Sequence, residues 1–161
     1  MFELFKKKSE TPWLDAEYAA LNKKKRVLGE FVHSEGYRGF KRMFFSTKYP
    51  EAVKNLKKLL KSKPVIPSKN PYGGESLDLS GCKITICTAK DKEKTDVLML
   101  YIDGMFIGSS VPGDNGKPAA MFEALKKHKA TAAHVEIRFG TDENKELVFD
   151  NYLMLNNADW S

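Results

Sequence analysis

An unbroken apolar run, Val97-Leu-Met-Leu-Tyr-Ile102, stands between Asp96 and the pair Asp103-Gly104. It is too short to cross a membrane and is bounded by turn residues, so it predicts a strand buried on both faces. Asp-Gly is the strongest short hairpin signal, because both central residues of a type I′ turn need φ > 0 and glycine supplies it without strain. Met105 to Gly108 then returns beside the first strand.

Upstream, the pattern is helical. Thr11-Pro12 marks a helix start, with threonine able to cap and proline suited to the first turn. Trp13, Ala16, Ala20, Leu21, Lys24 and Leu28 follow at helical spacing and predict an amphipathic helix from residue 12 to about residue 26. Arg26 to Phe45 fits either more helix or a strand. Gly29, Gly36 and Gly39 argue against a long helix, which favours a short strand near Val27 to Val32. A basic aromatic segment follows, Tyr37-Arg38-Gly39-Phe40-Lys41-Arg42-Met43-Phe44-Phe45. Pro50 opens a second helix, with Val53, Leu56, Leu59 and Leu60 inward and Lys54, Lys57, Lys58 and Lys61 on what reads as a solvated face. Residues 63–74 hold Pro64, Pro67, Pro71 and Gly73-Gly74 and read as a linker-like excursion.

From Lys83 the period changes from 3.6 to 2. Ile84 and Ile86 alternate with Lys83, Thr85 and Cys87, predicting a half-exposed strand, and Lys90 to Lys94 is a charged turn before the central hairpin. Beyond Pro112 a helix places Met121, Phe122 and Leu125 on one face. A last hairpin then sets Ala133, Val135, Ile137 and Phe139 against His134, Glu136 and Arg138, and returns over Glu146 to Leu155. The expected class is α+β, a small antiparallel β-barrel or curled sheet of five to six strands with N-terminal helices and one helix between hairpins. Residues 1–25 form a helical extension and residues 26–161 the α+β domain.

Composition narrows the class. At 161 residues, 42% hydrophobic and 30% charged, the chain is long enough to bury a core without staples and is not of disordered composition. The N-terminal stretch puts its apolar residues before its lysines and has no h-region, so no secretory signal is expected. Cys82 and Cys87, five apart in one predicted strand, face opposite ways and cannot bond each other. Two unpaired thiols fit a reducing compartment, hence the cytoplasm, and their spacing is not that of a zinc site. No cofactor and no metal are expected.

The net charge of +6 is unevenly placed: residues 1–69 hold 17 Lys/Arg against 7 Asp/Glu, which is +10, and residues 70–161 hold 10 against 14, which is −4. That split points to an acidic partner, nucleic acid first and an anionic surface second, beside the plain alternative of solvated lysines. Lys23-Lys24-Lys25-Arg26 suits a helix C-terminus as readily as it suits phosphate. In the basic aromatic segment, Arg38, Lys41 and Arg42 can neutralise phosphates while Tyr37 and Phe40 stack on bases. The competing reading buries the phenylalanines in the core.

Catalytic motifs fail. A phosphate loop ending at Lys117 would need glycine at Val111 and a hydroxyl at Pro118. What remains is Lys117 at a helix start, a generic anion site that is more simply a turn. No nucleophile is placed beside a base by any motif, and an enzyme is the minority reading.

One resemblance remains. The segment Val97-Leu-Met-Leu-Tyr101-Ile-Asp103-Gly104-Met-Phe-Ile107-Gly108-Ser-Ser-Val111-Pro112 is similar to the HIRAN pattern Ala-Val/Ile-x-Val-Tyr-x-Asp-Gly-x-x-Ile-Gly-Tyr-hydrophobic-Pro, with one extra residue before the proline. Val27-Leu28-Gly29-Glu30 resembles that family's opening strand, and the resemblance covers at most residues 26–140. It implies a small OB-related β-barrel that recognises single-stranded DNA ends, with Tyr101 and the Tyr37–Arg42 segment as binding counterparts. Thr88 to Asp96 lacks the paired asparagines from which the family draws its DNA-end pocket. The expectation is therefore a non-enzymatic nucleic-acid-binding module, for single-stranded DNA or DNA ends, with no membrane partner and an open oligomeric state. The alternative is a protein-interaction or structural module.

Overall fold

The computed structural model describes residues 11–35, 40–67, 74–112 and 117–160. Among them, three helices and nine strands follow in the order α1 (Pro12–Lys24), β1 (Arg26–Val32), β2 (Lys41–Phe45), α2 (Pro50–Ser62), β3 (Val65–Ile66), β4 (Glu75–Leu77), β5 (Lys83–Lys90), β6 (Asp96–Ile102), β7 (Met105–Ser110), α3 (Lys117–Lys126), β8 (Ala130–Thr141) and β9 (Leu147–Asn157). The strands form two antiparallel sheets, β1-β5-β6-β7 and β2-β9-β8-β4-β3. The class is α+β, as expected; of the barrel or curled sheet expected, no closed barrel forms among the described residues, and nine strands rather than five or six make two curled sheets.

The central hairpin forms as its pattern requires. Asp103 and Gly104 have φ of 49° and 83°, and Ile102 pairs with Met105 across the two-residue turn. Residues 97–102 are all buried because β6 serves two cores. Leu98, Leu100 and Ile102 enter the large core between the sheets, while Val97, Met99 and Tyr101 enter a smaller one beneath α1. Cys82 lies in the large core and Cys87 in the small one, both unpaired, so the two thiols do face apart. β5, expected to be half-exposed, is buried on both sides toward its end, where α1 covers Cys87 and Ala89.

α1 docks through Leu14, Tyr18 and Leu21; of the stripe that its spacing suggested Leu21 is buried, while Trp13 is 64% exposed. The Thr11 side chain makes no capping bond to the helix. α2 turns Ala52, Asn55, Leu56 and Leu59 inward, and the Asn55 amide donates to the Phe106 carbonyl at 2.9 Å, occupying an edge of β7. Part of the linker-like excursion is ordered as β3, paired with β4. The turns at Asp91 and Asp142 use one local solution twice. In each, the aspartate Oδ1 accepts N–H groups two and four residues on, and a lysine (Lys94, Lys145) takes φ near +60°.

Two isolated bridges stitch the sheets together. Ser46 and Ser109 exchange backbone hydrogen bonds of 2.7 and 3.0 Å, and a Cβ on Gly108 beside them would be a tight fit, 3.1 Å from both the Phe45 Cβ and the Ser46 carbonyl oxygen. At the other seam His33 bridges Ala133, and the rings of His33 and His134 lie 4.4 Å apart. His33 Nδ1 accepts the Val135 N–H at 3.2 Å and so must be unprotonated there. Burial, and then the charge of His134, lower its pKa against the opposing pull of Glu35 and Asp78. A histidine depressed in the folded state stabilises above its ordinary range near pH 6.5 and loses that contribution as pH falls through its folded value. The urea midpoint should therefore drop between pH 7.5 and 5.5, and His33→Asn, which keeps an acceptor but cannot charge, should flatten that slope. An unchanged slope in the variant would remove His33 as its source.

Candidate functional site

Four lysines of α2 line an open cavity. Lys54, Lys58 and Lys61 recur at i, i+4 and i+7, Lys57 completes the face, and with Thr47, Lys48, Pro50 and Val53 they line a trough of about 650 Å³. Val53, expected inward, forms part of its floor. No carboxylate lines it, and among the described residues none of Lys54, Lys57, Lys58 and Lys61 lies within ion-pair distance of an acid.

Several cations elsewhere are paired: Lys83 with Glu30 (3.1 Å), Lys90 with Asp96 (2.9 Å), Lys126 with Glu123 (3.0 Å) and Arg138 with Glu136 (2.6 Å). Such surface pairs add little stability, but they cancel local potential, and the α2 face is left uncancelled.

Lys48 joins the trough to a second cavity of about 270 Å³ that reaches Phe44, Glu17, Tyr49, Asp91 and Val111. Phe44 is 50% exposed because β2 alternates, sending Met43 and Phe45 into the core and Arg42 and Phe44 out. The Phe44 ring meets Tyr152 of β9 edge-on at 5.7 Å, and the Arg42 guanidinium lies 4.8 Å from the Tyr152 ring centre. Rings and cations thus share the outer face of one sheet.

The residues expected to bind divide unevenly. Tyr37 and Arg38 lie outside the described residues. Phe40 is half-buried just before β2, and Lys41 holds its ammonium 4.9 Å over the Trp160 ring. Arg42 is exposed on the outer face, and Phe44 rather than Phe40 offers the open ring. Tyr101 cannot stack on a base. It is 5% exposed, its ring tilts against Phe106, its hydroxyl donates to Asn22 Oδ1 at 2.7 Å, and burial raises its pKa. The side of β6 that carries it is roofed by α1. Lys117 opens α3, and its side chain lies outside the described residues, as does the loop before it.

The α2 lysines were legible as a row but not as an unpaired one. The sign that could have found them is the lack of any acid after Glu51 in that helix.

Burial pushes both thiols up, so Cys82 and Cys87 rest protonated and are poor nucleophiles. No histidine lines either cavity, and burial together with Glu17, whose Oε1 accepts the Tyr49 hydroxyl at 2.8 Å, raises the Tyr49 pKa, away from activation. Among the described residues no group of His, Cys, Asp and Glu could hold a metal ion, and no helix is long and apolar enough to cross a membrane. Compared with models of known families, with curated proteins and with solved structures, the chain matches none.

Proposed function

We propose that this chain is a non-enzymatic nucleic-acid-binding module that takes single strands of DNA along α2, with a HIRAN-like, OB-related arrangement of its strands. The observation that carries the reading is the trough of four lysines without a compensating carboxylate. A helix face bearing uncancelled charge raises the local concentration of polyanions, and release of their counterions drives binding. The half-exposed Phe44 beside Arg42 and Tyr152 supplies the stacking surface that sequence-tolerant single-strand binders combine with a basic groove. Duplex DNA would meet the lysines but could not present a base to the ring.

The test is fluorescence anisotropy of labelled single- and double-stranded oligonucleotides at 50 and 200 mM salt. Four neutralised phosphates on a single strand give a slope near −3 in log K against log salt, so the fourfold rise in salt should weaken binding by roughly 50-fold. Changing Lys54, Lys57, Lys58 and Lys61 together to Gln should abolish that dependence without loss of fold, since all four side chains are exposed. Salt-insensitive binding, or none, would defeat the proposal.

A second reading, a protein-interaction module, draws on Trp13 and on Val32 at the end of the edge strand β1, which are 64% and 69% exposed. Retention of a partner by the Lys-to-Gln variant, with loss on Trp13→Ala, would favour it.

A further inference from the structure

Resting on the nucleic-acid reading above, we propose that the smaller cavity is a base pocket that prefers bases carrying an exocyclic amine, and takes cytosine over thymine. The cavity, about 270 Å³, has room for one base with part of its sugar and not for a stacked pair. It is polarised. Lys48, shared with the lysine trough, marks the end where a phosphate would sit and pairs with Glu17 at 3.7 Å, and Asp91 stands on the same cavity. Two carboxylates repel a free anion, so the ligand group that enters here is neutral while the group at Lys48 is negative. A nucleotide has that polarity, with a phosphate at one end and an uncharged base at the other.

Hydrogen-bond accounting selects the base. Asp91 Oδ1 already accepts the N–H groups of Glu93 and Thr95, at 2.9 Å each, and among the described residues its Oδ2 has no hydrogen bond. Glu17 Oε1 accepts the Tyr49 hydroxyl and lies 3.7 Å from Lys48 Nζ, which leaves Oε2 uncommitted. Ionised carboxylates only accept, so the open capacity of this wall is acceptor capacity. Cytosine presents an N4 amine donor where thymine presents the O4 acceptor, whose lone pairs would face a carboxylate. Phe44 supplies a half-exposed ring against which the base can lie, and Val111, 41% exposed, stands on the same cavity.

The experiment titrates the full chain with labelled dC12, dT12 and dU12 at pH 7.5 and one salt concentration, dU12 removing the thymine methyl from the comparison. Binding of dC12 roughly tenfold tighter than of dT12 and dU12 is expected, the scale of one well-made base contact. Asp91→Asn, which keeps the Oδ1 acceptor of its turn, and Glu17→Gln, which keeps an acceptor for Tyr49, should each bring the dC12-to-dT12 ratio toward one. Phe44→Ala should weaken all three. Equal or reversed affinities with the salt dependence intact would overturn the base pocket and leave the lysine trough standing. A preference that neither carboxylate variant alters would overturn the assignment of these two residues. No binding of any oligonucleotide would overturn both proposals.

Discussion

Asn151→Asp should unfold most of the protein at pH 8 and leave it substantially folded near pH 5. Asn151 is fully buried on β9, and its Nδ2 donates to the Ile107 carbonyl at 3.0 Å, while its Oδ1 has no partner. Aspartate would set a carboxylate oxygen against that carbonyl, losing a buried bond and introducing an unpaired buried charge. The cost is about 3–5 kcal/mol, comparable with the whole stability of a small domain.

The sign with pH follows from burial, which raises the carboxyl pKa in the folded state above its unfolded value. The folded form then binds the extra proton, so stability is regained as pH falls, when the carboxyl O–H can donate to Ile107. Urea midpoints of the variant at pH 8 and pH 5 check this. A loss that does not change with pH would mean that the broken hydrogen bond to Ile107, not the charge, is responsible.

Phe106→Ala should cost about 3–5 kcal/mol, as other large-to-small core changes do, and should release α1 before the rest of the molecule yields. The Phe106 ring is buried and stacks on Tyr18 of α1 at 4.4 Å, with Tyr101 and Tyr49 tilted against it at 5.6 and 6.1 Å. It is one of the contacts that hold α1 to the first sheet, beside Leu21 and the Tyr101–Asn22 hydrogen bond. Hydrogen exchange should show the amides of α1 losing protection in the variant while those of β8 and β9, which border only the large core, keep theirs. Uniform loss across the chain would show that α1 is not a separately releasable layer.

How far the sequence carried depended on the range of the interaction. The Asp103-Gly104 turn, the two-sided burial of residues 97–102, the start of α2 at Pro50 and the alternation from Ala133 to Ile137 are local, and each formed as its pattern required. What failed was long-range. Tyr101 read as accessible because nothing near it in the chain announces that Tyr18 and Asn22 of α1 cover it. Trp13 read as inward because helical spacing cannot say which apolar residues meet a partner; Leu21 did, as expected, together with Leu14 and Tyr18, which the spacing had left out. The pairing of Val65 with Leu77 was hidden among prolines. In the candidate site, the basic aromatic segment was legible by composition, but choosing Phe44 over Phe40 needed the register of β2 against β9.

The stitched arrangement of the two sheets also sets an order of events. The β5–β6, β6–β7 and β8–β9 pairs are joined by short turns, so each can close on the microsecond scale with little loss of chain entropy. β2 must instead find β9 across most of the polypeptide, and Ser46 must meet Ser109. Non-local closures of this kind slow β-rich chains. Phe44 pairs with Tyr152 across that junction, so the ring assigned to stacking is set beside its neighbours only when this late closure is made, whereas the lysine row of α2 forms locally.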